Sequence, residues 1–210
     1  MAIALRKFFP ALKGIFLLVA FLLLPARAFC QEFWPPVIGK AFPDFELYDQ
    51  DGRKARVSDF KGKVIFIEYV GMNCPACQAF SGAHLRGAYQ NNAVQQGLQS
   101  IEEYFPQYAR GVNLKNEGMV FLQILLYDMQ LGAPKAKDAQ KWARHFGFTK
   151  SQNQYVLVPT RDMRGNASYN LIPGFQLIDR DFIVRSDSTG HNPQDNLYTE
   201  LLPMVPGLLK

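Results

Sequence analysis

The sequence predicts an α/β fold, a central mixed sheet with helices packed on it. Two nearly uninterrupted apolar runs, residues 63–70 and 118–127, carry that expectation, together with helical stretches that alternate with shorter strand-like segments. Such runs suit strands covered on both faces. The 210 residues are 48% apolar, 20% charged and 13% aromatic, a composition that supports a core and excludes a disordered, collagen-like or coiled-coil chain. Three cysteines, Cys30, Cys74 and Cys77, are too few for a disulfide-dense scaffold.

The chain opens with Arg6, Lys7 and Lys13 ahead of an apolar run over residues 14–24, closed by Pro25 and followed by Ala26-Arg27-Ala28. The run is shorter than the roughly 20 residues that span a bilayer as a helix. The small-residue pattern predicts a secretory signal cleaved after Ala28, with an uncleaved membrane anchor as the alternative. A lipoprotein reading of Cys30 is weaker, because bulky Phe29 stands where a small residue is wanted. Residues 29–36 follow as an N-terminal segment, and 37–210 read as one domain. Of the 23 Lys and Arg residues, four lie in the leader and no acidic residue does, which leaves 19 against 18 Asp and Glu. Nucleic-acid binding thereby loses its main support.

Residues 42–48 alternate as a half-buried strand, and 49–52 form a turn by composition. The strand at 63–70 leads to a helix over 75–89, where Pro75 is tolerated in the first turn. Residues 90–108 are extra helical or loop material before the second buried strand. A helix over 134–146 places Ala139, Trp142 and Phe146 on one side and stops at Gly147. A short strand at 154–158, a short helix at 162–169 and a hairpin of 175–178 with 182–185 follow. Pro193 opens a last helix to about residue 202, where Pro203 interrupts it.

The chemistry centres on Asn73-Cys74-Pro75-Ala76-Cys77, at the junction of strand and helix. A helix start offers free N–H groups beside the first sulfur and favours its thiolate, which lowers a cysteine pKa from roughly 8.5 to roughly 3.5–7.5 in such motifs. Cys74 is therefore the expected nucleophile and Cys77 the thiol that resolves its mixed disulfide. A zinc site would need a second such pair, and Cys30 is distant in sequence. A c-type haem would need His where Gln78 stands. A purely structural disulfide is the remaining bland reading.

Here the sequence resembles the thioredoxin-like redoxins of the exported thiol-disulfide oxidoreductase kind, often called TlpA-like. The resemblance covers about residues 37–190: Gly39-Lys-Ala-Phe-Pro-Asp-Phe-Glu-Leu47, Asp51-Gly52, Val57-Ser-Asp-Phe-Lys-Gly-Lys63, the strand and the cysteine pair. Ile172-Pro-Gly-Phe-Gln-Leu-Ile-Asp179 matches the segment where this family carries a cis-proline, making Pro173 its counterpart in preference to Pro159 in Val158-Pro159-Thr160. The resemblance implies that Pro173 packs against the disulfide and leaves a backbone edge for a substrate chain. Glu68 stands where thioredoxin-like members keep a buried acid. Burial would raise its pKa and let it take the Cys77 proton, whereas the competing reading is a strand-edge Glu in solvent. Asn73 replaces the Trp common before the first cysteine, and 85–115 is longer than a minimal member needs.

The expected function is exchange of electrons with protein thiols and disulfides through a Cys74–Cys77 couple, with no separate cofactor and no metal. The expected site is periplasmic or otherwise exported, anchored to the inner membrane if the leader is retained, with a membrane electron donor as a further partner. Two rivals stand beside it. A peroxiredoxin normally has Pro-x-x-x-Thr-x-x before its cysteine, and here Ile67 and Gly71 occupy the Pro and Thr positions. A copper-delivery module uses two cysteines three residues apart and a later His; here only two residues separate them, Asn170 and Leu171 precede Pro173, and His84, His145 and His191 share no ligand spacing. His145 reads as a surface or half-buried helix residue and His191 as a loop residue of unknown purpose.

Overall fold

The computed structural model describes residues 34–210. The expected leader, its cleavage point and Cys30 lie outside the described residues. Seven strands form one sheet: β1 Glu46–Asp49, β2 Lys54–Arg56, β3 Val64–Gly71, β4 Met119–Tyr127, β5 Gln154–Pro159, β6 Gly174–Ile178 and β7 Val184–Thr189, in the order β2-β1-β5-β4-β3-β6-β7. The β3–β4 and β4–β5 pairs are parallel and the other four are antiparallel. This is the mixed sheet expected, and helices α1 Pro75–Phe80, α2 Ala83–Arg86, α3 Ile101–Tyr108, α4 Ala136–Phe146, α5 Asn166–Tyr169 and α6 Leu202–Leu208 connect or follow its strands.

The two apolar runs are the central strands. Every residue of β3 and β4 is buried, as their composition demands. On β3, Phe66 stacks on Phe175 of β6 at 5.2 Å between centroids and meets Phe105 of α3 edge-on at 5.1 Å. Phe175 in turn takes Phe80 of α1 edge-on at 5.1 Å. The helix that follows the cysteines is thus seated on the sheet by aromatic packing.

Several elements depart from the sequence expectation. Residues 42–45 are not part of β1: the Phe42 N–H bonds the Phe182 carbonyl, and Ala41 bridges Ile183, so this stretch is held by the β6–β7 turn. Strand β2 gives no apolar alternation because only Ala55 separates Lys54 from Arg56, and both of those are exposed. The single helix expected over 75–89 is broken. It ends at Phe80, and Gly82 and Gly87 adopt φ of +100° and +85°, a left-handed geometry open to glycine that stops helix propagation. Helix α3 has a capping box, with the Ser100 hydroxyl accepting from the Glu103 N–H and the Glu103 carboxylate accepting from the Ser100 N–H at 3.0 Å. Helix α5 starts later than residue 162, and β7 extends past Arg185 to Thr189.

The last helix does not open at Pro193 or stop at Pro203. Asn196 caps it, its Oδ1 accepting from the Tyr198 and Thr199 N–H groups at 2.9 and 3.0 Å. A wide π-helical turn over Leu197–Leu201 then leads into α6, where Pro203 falls in the first turn. A proline there needs no intrahelical donor.

Phe66 bridges β3, β6 and α3, so Phe66→Ala is expected to lower unfolding free energy by about 3–5 kcal/mol in urea titration; a loss below about 1 kcal/mol would contradict its placement at the centre of the core.

Candidate active site

The site begins where β3 ends. Gly71 closes the strand, Met72–Cys74 turn outward and Pro75 starts α1. Three backbone bonds hold the turn: Met72 N–H to Tyr127 O at 2.9 Å, Cys74 N–H to Gly71 O at 3.0 Å and Gln78 N–H to Cys74 O at 3.0 Å. Gln78 is buried and structural. Its amide donates to Met72 O at 2.7 Å and accepts from the Tyr89 N–H at 2.8 Å, tying the loop before the cysteines to the segment after α2.

Cys74 is the N-cap of α1, and its sulfur accepts from the Cys77 N–H at 3.3 Å. Cys74 is half-buried and Cys77 fully buried, both as free thiols. This asymmetry separates their acidities. Donation from the Cys77 thiol, then from the Cys77 and Ala76 N–H groups, draws the Cys74 thiol down to about 7 against the cost of partial burial. Burial drives the Cys77 thiol well above its usual range, and its own donation to Cys74 and the charges on Cys74 and Glu68 push the same way.

Glu68 has no exposed surface, so the reading of a solvent-facing strand Glu is excluded. It lies opposite Gln123 of β4 and Phe175 of β6. Its Oε2 accepts from Gln123 Nε2 at 2.7 Å, and its Oε1 has no hydrogen-bond partner among the described residues. Burial raises the carboxyl to about 8, the Gln123 bond opposing and the charge on Cys74 adding to the rise.

The Ile172–Pro173 peptide is cis and Pro159 is not in a cis bond. Pro173 lines a cavity of about 570 Å³ beside Cys74, together with Tyr127, Tyr169 and Ile172. Gln95 and Leu98 line it too, so the long segment after α1 forms part of the groove, and the Gln95 N–H bonds Pro75 O at 3.1 Å. His191 also lines this cavity, whereas exposed His84 bonds Gln95 O at 3.1 Å and half-buried His145 bonds Gly87 O at 2.8 Å. Among the described residues no three His, Cys, Asp or Glu side chains gather in a metal-binding cluster, and no helix is long and apolar enough to cross a membrane. Sequence reasoning brings Cys74, Cys77, Glu68 and Pro173 into view but passes over Gln123. The signal was the one that marks Glu68, a polar residue inside an apolar strand.

Glu68 has a consequence for stability. Between its ordinary pKa of 4.5 and about 8 the unfolded chain has released this proton while the folded chain retains it, so its contribution to folding worsens as pH rises through that window. The stability gain of Glu68→Gln over wild type should therefore grow by roughly 4–5 kcal/mol from pH 4.5 to 8 in denaturant titrations; a difference independent of pH would contradict the buried, protonated acid.

A model of the AhpC/TSA family matches residues 38–101, the span from before β1 to the start of α3. The thiol-disulfide oxidoreductase ResA of Geobacillus kaustophilus (strain HTA426) is 26% identical over 171 residues, covering 80% of this chain and 79% of that protein. Among solved structures, one from Aquifex aeolicus VF5 superposes with a TM-score of 0.54 at 11% identity over 83% of this chain and 99% of the other. BsSco, a member of the Sco family of cytochrome c oxidase assembly proteins, does so with 0.51 at 15% identity over 86% and 99%. With the mixed sheet and the cysteine pair between β3 and α1, these likenesses give the chain a thioredoxin-like fold, and it resembles the TlpA-like redoxins.

Proposed function

We propose that this protein is a thiol-disulfide oxidoreductase that exchanges electrons with protein disulfides through Cys74 and Cys77. The observation that carries the reading is the divided pair: a half-exposed Cys74 thiol brought to about 7 and a buried Cys77 held protonated. The likeness to ResA supports the same class of reaction.

In the reducing direction, the Cys74 thiolate attacks one sulfur of a client disulfide. A Cys74–client bond forms, the client S–S bond breaks, and the released client thiolate takes a proton from water. In the fraction of molecules in which Glu68 has released its proton, Cys77 then passes its own proton to the Glu68 carboxylate and attacks the Cys74 sulfur. The Cys74–Cys77 disulfide forms, the Cys74–client bond breaks, and the second client thiolate leaves. The pair has lost two electrons and the client has gained them. A carboxyl near 8 is matched to this transfer, since it takes and returns a proton close to neutral pH. Pro173, on the cavity wall beside Cys74, is read as the surface against which the client chain lies. The basic, apolar leader of residues 1–28 supports action outside the cytoplasm, in the periplasm or an equivalent exported location, with the membrane reached through that segment if it is retained.

The AhpC/TSA match favours thiol peroxidase chemistry as a second reading. Gly71 opposes it: a β-carbon there would stand 3.7 Å from the Cys74 β-carbon, and glycine supplies no hydroxyl to a peroxide at that place.

Reduction of insulin disulfides by the wild-type protein should fall at least about 100-fold in Cys74→Ser, and Cys77→Ala should accumulate a mixed disulfide on Cys74. Equal turnover in wild type and Cys74→Ser would overturn the nucleophile, and rapid peroxide consumption without disulfide reduction would favour the second reading.

A further inference from the structure

Behind Glu68 lies a polar network that the exchange chemistry does not by itself require. Gln123 of β4 and Trp142 of α4 are fully buried, and Ser81, at the end of α1, is nearly so. The Trp142 indole N–H donates to Gln123 Oε1 at 2.9 Å. Gln123 Nε2 donates to Ser81 Oγ at 2.8 Å and to Glu68 Oε2 at 2.7 Å. An indole nitrogen can only donate, so it meets the oxygen end of the amide and turns the nitrogen end toward Glu68. The orientation of Gln123 is therefore dictated by chemistry. Both N–H groups of the amide are used and its oxygen is satisfied. Among the described residues, Glu68 Oε1 is the group in this network left without a partner.

A purely structural network would satisfy every member, because an unpartnered polar atom in a dry interior is costly. Here the unsatisfied position falls on the one titratable member of the network, beside the cysteine pair. The titratable groups coupled to Glu68 are Cys74, whose charge raises its carboxyl, and Cys77, whose thiol the Glu68 charge raises in turn; β4 presents Gln123, β6 presents Phe175 and α4 reaches the network through Trp142.

We propose that Gln123, oriented by Trp142, is a positioning residue for Glu68: its amide pins Oε2 and leaves Oε1 as the oxygen that takes up and returns the Cys77 proton. The role rests on the reading of Cys77 as the resolving thiol. The amide favours the carboxylate, because it offers a donor to a charged acceptor, and so keeps the buried acid from becoming too weak to release its proton near neutrality. Trp142 prevents the opposite arrangement, in which an amide oxygen facing Glu68 would favour the protonated acid.

The test is a carbon-13 NMR titration of glutamate carboxyls in the reduced protein, with the Glu68 signal assigned by its absence in Glu68→Gln. Gln123→Met keeps the side-chain length and removes the donor; it should raise the Glu68 midpoint by about one to two pH units. Trp142→Phe leaves Gln123 in place but frees its amide to rotate, and should raise the midpoint by a smaller amount. The pH profile of insulin reduction should move in the same direction in both variants. An unchanged or lowered midpoint in the folded variants would overturn the positioning role, and Trp142→Phe carries the test if Gln123→Met does not fold. The titration does not depend on turnover, so absence of disulfide exchange in wild type would defeat the proposed function separately from this result.

Discussion

A carboxyl group at the middle of β3, with no exposed surface, imposes the constraint around which the rest of the site is arranged. An isolated charge in such a place is prohibitively costly, and the group responds by holding its proton to about pH 8. Burial on this scale requires that β3 be paired on both sides, by β4 and β6, and covered by α1 and α3. The aromatic contacts of Phe66, Phe175, Phe80 and Phe105 supply that cover. A well-packed core here is thus also what sets the acidity of a group beside the cysteines.

The same burial divides the cysteine pair. One turn of helix separates Cys74, at the mouth of an apolar groove, from Cys77, against the sheet. Hydrogen bonds from N–H groups and from Cys77 stabilise a thiolate at the first position, while the dry surroundings of the second oppose one. Two residues of identical chemistry therefore acquire different roles through a displacement of three positions in the chain. The bonds of Gln78 and Tyr127 to the Met72 turn keep this displacement fixed.

Much of this architecture is legible in the sequence because it depends on features with strong local signals. Continuous apolar runs mark β3 and β4, and the cysteine spacing with Pro75 marks the start of α1. Glu68 stands out because it interrupts such a run. What escapes is set by contacts between distant segments or by weak local preference. The break after Phe80 depends on left-handed glycines that a helical pattern conceals, and β2 is three residues long with one small apolar side chain. The extension of the last helix through Pro203 depends on the wide turn after Asn196. Gln123 and Trp142 lie 19 positions apart, and their partnership with Glu68 follows from the parallel register of β3 and β4. The groove wall built by Gln95, Leu98 and Tyr169 likewise comes from segments that no periodicity connects.

Burial sets the two cysteines and the acid apart in proton affinity. Thiolate absorbance near 240 nm, followed against pH in the reduced wild-type protein and in Cys77→Ala, reads that separation. A first thiolate with a midpoint near 7 should belong to Cys74, and a second should form only well above the ordinary thiol range and disappear with Cys77. Two thiolates rising together in the ordinary thiol range, or a lower midpoint assigned to Cys77, would be incompatible with that separation.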